Sequence, residues 1–245
     1  MYDNMEIFSK SDIGLVRKEN QDSSAYTVIS SDTAWAVICD GMGGARGGKT
    51  ASSTAVKFIS EFISREYQDD MEGEELADML VAAVDGANMT LYRMAIEDSE
   101  LAGMGTTCDL VFVRGEVAHV VHVGDSRTYS IRDGKILQIT EDHSLVQEMV
   151  NRGELTAEQA MRHPNKNLIT RALGVTHDVH IDYIEAEFSE GDTLLLCSDG
   201  LSNYVSRADM VRTVMESRGE LLIDTLVEIA KRHGGHDNIT VTVIY

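Results

Sequence analysis

The sequence predicts an α+β fold in which antiparallel β-sheets are stacked and covered by helices. Three observations predict it: strand-length runs that are apolar throughout, tight turns between consecutive runs, and long segments that are apolar on one helical face. A continuously apolar run indicates a strand covered on both faces. A tight turn between neighbouring strands requires antiparallel pairing. Helices with one apolar face then supply the outer layers.

Ten segments have the length and composition of strands. VAHVVHV at 117–123 and LLLC at 194–197 are the clearest examples of runs covered on both faces. The short turns RGE at 114–116 and RDGK at 132–135 join central strands into antiparallel pairs. The predicted strands cover residues 5–9, 24–30, 34–39, 106–113, 116–123, 127–132, 135–140, 181–187, 193–197 and 238–244.

Three helices are predicted over residues 48–64, 76–94 and 222–229, the last two because their apolar residues recur on one helical face. Gly234 and Gly235 end the last helix. The segment 144–172 differs, since it is polar and predicts only one short helix. Such an excursion is typical either of a mobile flap beside a site or of an ordinary surface loop.

The chain composition predicts one domain over residues 1–245, since repeats and Pro/Gly-rich linkers are absent from the sequence. The formal net charge of −20 argues against a nucleic-acid partner, because phosphate backbones are bound by clustered Lys and Arg. The sequence lacks a targeting signal and any apolar run long enough to span a bilayer. With three scattered cysteines inside apolar runs, these features predict a cytoplasmic protein with no membrane partner.

Four aspartates follow or precede apolar strands and have a glycine within three residues. They are Asp40 in VICDG, Asp125 in VHVGDSR, Asp199 in LLLCSDG and Asp237 in GGHDNITV. Singly, each is most simply a turn residue. Together, at one rim of a sheet, they could not all stay ionised without cations. Oxygen-only ligands indicate Mg²⁺ or Mn²⁺ rather than zinc.

Arg17 lies in SDIGLVRKENQDS, before a polar patch that includes Asp22. It is either an exposed turn residue or a guanidinium that binds phosphate through parallel hydrogen bonds. A competing motif follows Asp40: GGARGGKT at 43–50 matches the nucleotide-binding P-loop pattern. A P-loop domain needs parallel strands, whereas residues 106–140 predict an antiparallel meander.

The sequence resembles the bacterial branch of the metal-dependent serine/threonine protein phosphatases, the type 2C family. The resemblance rests on eight motifs in order across nearly the whole chain. It implies a four-layer α-β-β-α sandwich with two metal ions in the cleft between the sheets. The motifs are SDIGLVRKENQDS, VICDGMGG, GMGTTCDLVFV, VHVGDSRTY, EDHSLV, ITRALG, LLLCSDGLS and GGHDNITV.

By this resemblance, Asp40 bridges both metal ions and the Gly41 carbonyl binds one of them, while Asp199 and Asp237 hold the other. Arg17 binds the substrate phosphate.

The resemblance also places Asp22 beside metal-bound water, and Asp125 with Asp199 at a weaker third site. Residues 144–172 correspond to the family's flap. Two positions depart from the family pattern: Met42 stands where some relatives have a histidine proposed as general acid, and Asn203 stands where many have an acidic residue.

The implied activity is hydrolysis of phosphoserine and phosphothreonine in proteins by direct attack of a metal-bridging hydroxide, with Mn²⁺ or Mg²⁺ as cofactor. The alternatives are a P-loop nucleotide hydrolase and a non-catalytic regulatory domain of the same fold. We expect a monomer whose substrates are phosphoproteins. A cognate Ser/Thr kinase and an anti-sigma-factor system are both compatible with the sequence.

Overall fold

The computed structural model describes residues 5–245, apart from the side chains of residues 44–46. Residues 1–4 of the predicted 1–245 domain lie outside it. The strands are β1 (Ile7–Asp12), β2 (Asp22–Val28), β3 (Thr33–Met42), β4 (Gly105–Thr106), β5 (Cys108–Arg114), β6 (Val117–Val123), β7 (Arg127–Arg132), β8 (Lys135–Gln138), β9 (Asp182–Glu187), β10 (Thr193–Cys197) and β11 (Ile239–Ile244). The helices are α1 (Gly44–Glu66), α2 (Gly73–Glu97), α3 (Leu145–Asn151), α4 (Ala157–Met161), α5 (Asp199–Ser202), α6 (Arg207–Glu216) and α7 (Gly219–Arg232), with a 3₁₀ turn at Ser99–Leu101.

The strands form two sheets in which every recorded pairing is antiparallel. One sheet has the order β1-β11-β10-β7-β8; the other has the order β2-β3-β5-β6-β9, with the short β4 paired to β3. All ten predicted strands are present. The antiparallel pairing confirms the predicted fold class and leaves the P-loop alternative unsupported, because that fold needs parallel strands and helical crossovers.

Alternation along the central strands explains the four layers. In β3, Trp35, Val37 and Cys39 pack against α1 and α2, whereas the intervening Ala34, Ala36 and Ile38 face the other sheet. In β10 the same alternation turns Leu195 and Cys197 toward α7, and Leu194 and Leu196 toward the sheet that contains β3. Because successive strand residues point to opposite faces, strands that are buried on both faces read as unbroken apolar runs.

The structure differs from the predicted helices in two places. Helix α1 begins at Gly44 rather than near residue 48. Helix α6 was not predicted, because its sequence is polar and it buries only Met210 and Thr213, which gives a weak apolar stripe. The hydroxyl of Ser206 caps α6 by accepting a hydrogen bond from the Asp209 backbone amide.

The segment 144–172 contains two short helices, α3 and α4, where one was predicted. Ser144 and Thr156 cap them through their side-chain oxygens. Both ends of the segment are held together by an isolated bridge between Ser144 and Ile169. Within residues 5–245, no helix combines the length and apolar character needed to cross a membrane.

Two glycines in the aspartate motifs have a steric role. A Cβ atom at Gly200 would overlap the backbone carbonyl oxygen of Asn238, and one at Gly41 would overlap the carbonyl oxygen of Gly48. The glycines therefore allow α5 to approach the start of β11, and α1 to approach the end of β3. The Asp-Gly pair at 40–41 lies within β3 and the pair at 199–200 opens α5, so both are close-packing sites rather than turns.

Replacing Gly200 by alanine tests this packing. We expect Gly200→Ala to lower the free energy of unfolding by about 1–3 kcal/mol, because the new methyl group must displace backbone rather than a flexible side chain. Gly73→Ala is the matched control, since the space around Gly73 is open within 4 Å. Urea denaturation followed by circular dichroism measures both, and equal stability of the two variants would contradict the close approach.

Candidate active site

The ends of several strands meet at one rim of the stacked sheets and form a cleft of about 540 Å³. Every predicted site residue except Asp22 lines it. The segment 144–172 contributes Asn167 and Ile169 to its lining. The lining residues are Arg17, Lys18, Glu19, Gln21, Asp40, Gly41, Met42, Gly43, Thr107, Asp125, Asn167, Ile169, Asp199, Asp237 and Asn238.

Asp22 lies directly behind the cleft and connects the two sheets. It begins β2 as the cross-strand partner of Asp40 in β3. Its Oδ2 accepts hydrogen bonds from Ser198 Oγ at 2.9 Å and Thr240 Oγ1 at 2.6 Å, both of which belong to the β10–β11 side of the other sheet. Two hydroxyl donors on one buried carboxylate oxygen fix both the side chain and the spacing of the sheets at this end.

Asp199 and Asp237 come from adjacent parts of the five-stranded sheet. Asp199 begins α5 after β10, and its Oδ2 accepts from Asn203 Nδ2 at 3.1 Å. Asp237 precedes β11, and its Oδ2 accepts from Arg17 Nη2 at 2.7 Å. Asn203 therefore faces the same side as Asp199, but it presents an N–H donor to that carboxylate.

Asp125 lies in the turn that carries the chain from β6 in one sheet to β7 in the other. Thr107 joins this turn to Asp40: its Oγ1 accepts from the Asp40 backbone amide at 2.9 Å and lies 2.8 Å from Ser126 Oγ. One buried hydroxyl thus sets the relative placement of two strand ends that carry carboxylates.

Arg17 belongs to the loop between β1 and β2, and Asn238 holds that loop in place. The Asn238 side chain donates to the carbonyl oxygens of Ile13 and Glu19, each at 3.0 Å, and accepts from the Gln21 amide at 2.8 Å. These three hydrogen bonds fix both ends of the loop beside Asp237. The guanidinium of Arg17 remains half exposed at the cleft surface.

Burial and mutual repulsion raise the pKa values of several carboxyl groups at the cleft. Burial, with the charges of Asp125 and Asp237 next, raises the pKa of Asp199 to about 8. Burial also raises the pKa of Asp22 and of Asp125 to about 6 each. The pKa of Asp40 is well above its usual value because of burial and then the nearby Asp22 charge. Such a cluster favours proton or cation binding over free negative charge.

Individual oxygen donors of the cleft suit hard cations, although they are not gathered around one point. Within the described chain, the buried side-chain oxygens that lack a hydrogen-bond partner are Asp22 Oδ1 and Asp199 Oδ1. No three His, Cys, Asp or Glu side chains among residues 5–245 stand together tightly enough to hold an ion as they are placed. Arg17 and Asn203 each engage an oxygen that the resemblance assigns to a cation. The oxygen-only donor set itself suits Mg²⁺ or Mn²⁺.

Comparison with known proteins identifies the family. The family model for Protein phosphatase 2C matches residues 16–226. This chain belongs to the protein phosphatase 2C family. The serine/threonine phosphatase stp of Listeria innocua is 36% identical over 237 residues, covering 96% of this chain and 93% of that protein.

Solved structures agree with the fold of the phosphatase. The serine/threonine phosphatase Stp1 from Staphylococcus aureus is 31% identical, with a TM-score of 0.91, and the match covers 100% of this chain and 96% of that chain. The catalytic domain of the phosphatase PstP, solved in complex with two manganese ions, is 35% identical with a TM-score of 0.84, covering 98% and 97%. The four-layer prediction is confirmed.

Several residues that organise the site of the phosphatase were not singled out from the sequence: Thr107, Ser198, Thr240 and Asn238. Each lies within or beside a motif that carries an aspartate or a glycine, which was the only local signal. Lys49, the lysine of the P-loop pattern, lies in the second turn of α1. Its Nζ is 3.3 Å from the Asp22 carbonyl oxygen and 3.4 Å from Ser23 Oγ, so it contacts β2.

The raised pKa values predict how metal-stripped phosphatase responds to pH. The pKa values of about 6 for Asp22 and Asp125 and about 8 for Asp199 exceed the unfolded value of about 3.9. The folded protein therefore binds these protons more tightly than the unfolded chain does. Their stabilising contribution is complete below pH ~4 and is lost as pH rises through about 6 and 8.

We expect the melting temperature in EDTA to fall between about pH 5.5 and pH 9, and Mn²⁺ to restore more stability at the high end. Asp199→Asn should flatten the upper part of that profile. Differential scanning calorimetry at a series of pH values measures it. A melting temperature in EDTA that is constant or rises across this range would contradict the assignment of the buried carboxyl groups.

Proposed function

We propose that this phosphatase hydrolyses phosphoserine and phosphothreonine in proteins, with Mn²⁺ or Mg²⁺ held by the carboxylates of the cleft. The observation that carries the proposal is the oxygen-only group of half-buried aspartates beside an arginine in one open cleft, with Asp22 buried behind them. Relatives named as serine/threonine phosphatases, which match nearly the full chain, support the substrate class.

Asp40, the Gly41 carbonyl, Asp199 and Asp237 would hold the paired ions. When bound, such ions supply an activated water and neutralise charge on the phosphoryl oxygens. Because the protein presents oxygen donors only, the site would favour these hard cations over zinc. Asp22, buried behind Asp40, would accept a hydrogen bond from water through Oδ1, the oxygen that its two hydroxyl partners leave unused.

Arg17 would bind the substrate phosphate. Its guanidinium can present two parallel N–H groups to phosphoryl oxygens, and Asn238 holds the loop that carries it. Pairing with Asp237 keeps the side chain at the cleft while substrate is absent. Phosphate would compete for the same N–H groups.

Met42 lines the cleft where some relatives have a histidine. A thioether cannot donate a proton. We therefore propose that the leaving serine or threonine oxygen takes its proton from water in the open cleft.

Asp125 and Asp199 would form a weaker third cation site. The Asn203 amide nitrogen donates to Asp199 Oδ2, so residue 203 adds no negative charge to the site and engages one of its oxygens. Hard cations respond strongly to the number of charged ligands, which makes this site the weakest of the three.

We also propose that residues 144–172 act as a flap of a single catalytic domain over residues 1–245, because Asn167 and Ile169 line the same cleft as the carboxylates. A cytoplasmic location is consistent with the buried free thiols of Cys39, Cys108 and Cys197. A monomeric state and a cognate Ser/Thr kinase that supplies the substrates stay predictions.

Removing one carboxylate charge tests the function. We expect Asp40→Asn to reduce Mn²⁺-dependent hydrolysis of a phosphothreonine peptide by at least about 10²-fold with the fold retained, because a neutral amide is a poorer ligand for a divalent cation. Phosphate release measures activity and circular dichroism measures folding. Near-parental turnover in folded Asp40→Asn protein would refute the proposed site.

Lys49→Ala serves as the control in the same assay. Because Lys49 contacts β2 rather than the cleft, this variant should keep most of the phosphatase activity. Loss of most of the activity in folded Lys49→Ala protein would contradict this placement of the side chain.

A second variant separates phosphate binding from metal binding. We expect Arg17→Ala to raise KM by about tenfold or more, since each charge-assisted hydrogen bond is worth about 1.5–3 kcal/mol. The Mn²⁺ concentration that gives half-maximal activity should change little. Lys18→Ala, which removes a neighbouring cation at the same cleft, is the matched control. Equal KM values for the two variants would contradict a specific phosphate-binding role for Arg17 and would leave it as one of several surface charges.

A further inference from the structure

A buried histidine outside the cleft connects three separate segments of the phosphatase. His143 follows the β7–β8 hairpin and immediately precedes the flap segment. Its backbone and ring bond to the turn that carries Asp125, to the returning end of the flap and to the start of β9. None of the residues proposed to bind substrate or cation makes comparable contacts with all three.

The first connection is to the Asp125 turn. The His143 amide donates to the Gly124 carbonyl oxygen at 2.7 Å, and the Gly124 amide donates to His143 Nδ1 at 3.1 Å. Gly124 has φ +115° and packs directly on the Thr107 side chain, so it has little room to shift. The two hydrogen bonds therefore fix the backbone that leads into Asp125.

The second connection is to the flap. The His143 carbonyl oxygen accepts from the Thr170 amide at 2.8 Å, and Ser144 forms a bridge with Ile169. Asn167 and Ile169 belong to this returning end and line the cleft that also holds the carboxylates. A displacement at His143 would therefore move the cleft wall that the flap provides.

The third connection joins the ring to the start of β9 and to the flap arginine. Nδ1 accepts from the Gly124 amide, while Nε2 lies 3.1 Å from Asp182 Oδ2 and 3.0 Å from Arg171 Nη1. Arg171, in the returning end of the flap, donates to Asp182 Oδ1 at 3.0 Å. Asp182 thus orients the ring and links it to the flap arginine, in the manner of an outer-shell carboxylate on a histidine.

We propose that His143 is a positioning residue that couples the flap to the Asp125 carboxylate, so that the weak cation site and the flap wall of the cleft are set by one side chain. The proposal rests on the proposed function, because it takes Asp125 as a cation ligand and residues 144–172 as a flap. His143 touches neither substrate nor cation; its ring acts through Gly124 on one side and through Asp182 and the flap residue Arg171 on the other.

A purely structural role would make His143 a buried polar residue that contributes only to stability. The two roles differ in what a substitution changes. Loss of a stabilising contact lowers the melting temperature and leaves cation binding and KM unchanged in the folded fraction. Loss of a positioning contact weakens the weakest cation-binding step. It also raises the KM for a phosphopeptide, which is long enough to contact the flap, more than it raises the KM for p-nitrophenyl phosphate.

Amide side chains can separate the two arms of the coupling. Asparagine places its carbonyl oxygen near the position of imidazole Nδ1, and glutamine places its amide nitrogen near Nε2. His143→Asn should therefore keep the hydrogen bond from Gly124 and lose the one to Asp182. His143→Gln should keep the contact with Asp182 and lose the one from Gly124.

The experiment is a calorimetric titration of the metal-stripped, full-length protein with Mn²⁺, combined with KM measurements on a phosphothreonine peptide and on p-nitrophenyl phosphate. We expect His143→Ala to weaken the last Mn²⁺ step by about tenfold, as outer-shell substitutions do, and to leave the two tighter steps near their parental values. His143→Asn should bind the last Mn²⁺ as tightly as the parent but keep a raised KM for the peptide. His143→Gln should show the weakened last Mn²⁺ step and a KM for the peptide near that of the parent.

Two control variants complete the set. Asp125→Ala should abolish the last Mn²⁺ step. His119→Ala is matched to His143→Ala, since His119 is also buried and bonds through Nδ1 to the Tyr183 hydroxyl at 2.7 Å, away from the Asp125 turn. It should lower the melting temperature without changing either readout.

The outcomes are distinct. The proposal is overturned if folded His143→Ala, or both folded amide variants, bind Mn²⁺ and the peptide like the parent. It is also overturned if His119→Ala weakens the last Mn²⁺ step and raises the peptide KM as His143→Ala does. A parent protein that shows no weak Mn²⁺ step would overturn it as well. All of these leave the phosphatase function standing. If His143→Ala does not fold, the asparagine and glutamine variants decide. Failure of the parent to hydrolyse the peptide with Mn²⁺ would contradict the function itself.

Discussion

The gathering of buried carboxylates at one end of two stacked sheets is the constraint on which the rest of this structure depends. Burial alone would drive these groups toward the protonated state, and their mutual repulsion adds to the effect. The scaffold limits that repulsion with a few internal donors: hydroxyls on Asp22, an amide on Asp199 and a guanidinium on Asp237. The oxygens that remain face the cleft or lie unpaired beside it, which is the arrangement that a divalent cation relieves.

Holding such charges close together requires a backbone that approaches itself closely. Gly41 and Gly200 let helices meet strands without a side chain between them. Thr107 and Asn238 then tie the strand ends and the Arg17 loop by hydrogen bonds from buried polar side chains. In this protein the rim of the sandwich is therefore a polar, hydrogen-bonded layer. The apolar core lies between and behind the sheets, where it does not compete for the same space.

The sequence was informative where the signal was local. Ten strands, the three long helices and the antiparallel order followed from apolar runs and tight turns, because burial on both faces removes the polar alternation of a strand. It failed for α6, whose buried face is only two residues, and it underestimated the helical content of the flap. The motif order also brought out the seven residues proposed for the site, yet it left Thr107, Ser198, Thr240 and Asn238 unnoticed, since hydroxyls and amides in or beside strands have no distinctive pattern.

By itself, the sequence determined the layers of the fold, the family and the set of carboxylates at strand ends, because periodicity, turn chemistry and motif spacing are properties of neighbouring residues. Only the tertiary structure decided which atoms those groups engage. Asp22 bonds to Thr240 across the two sheets, Asn203 turns its amide toward Asp199, Arg17 pairs with Asp237, and His143 joins the flap to the Asp125 turn. Hydrogen bonds between residues up to about 220 positions apart depend on how the sheets stack, and no local pattern encodes their geometry.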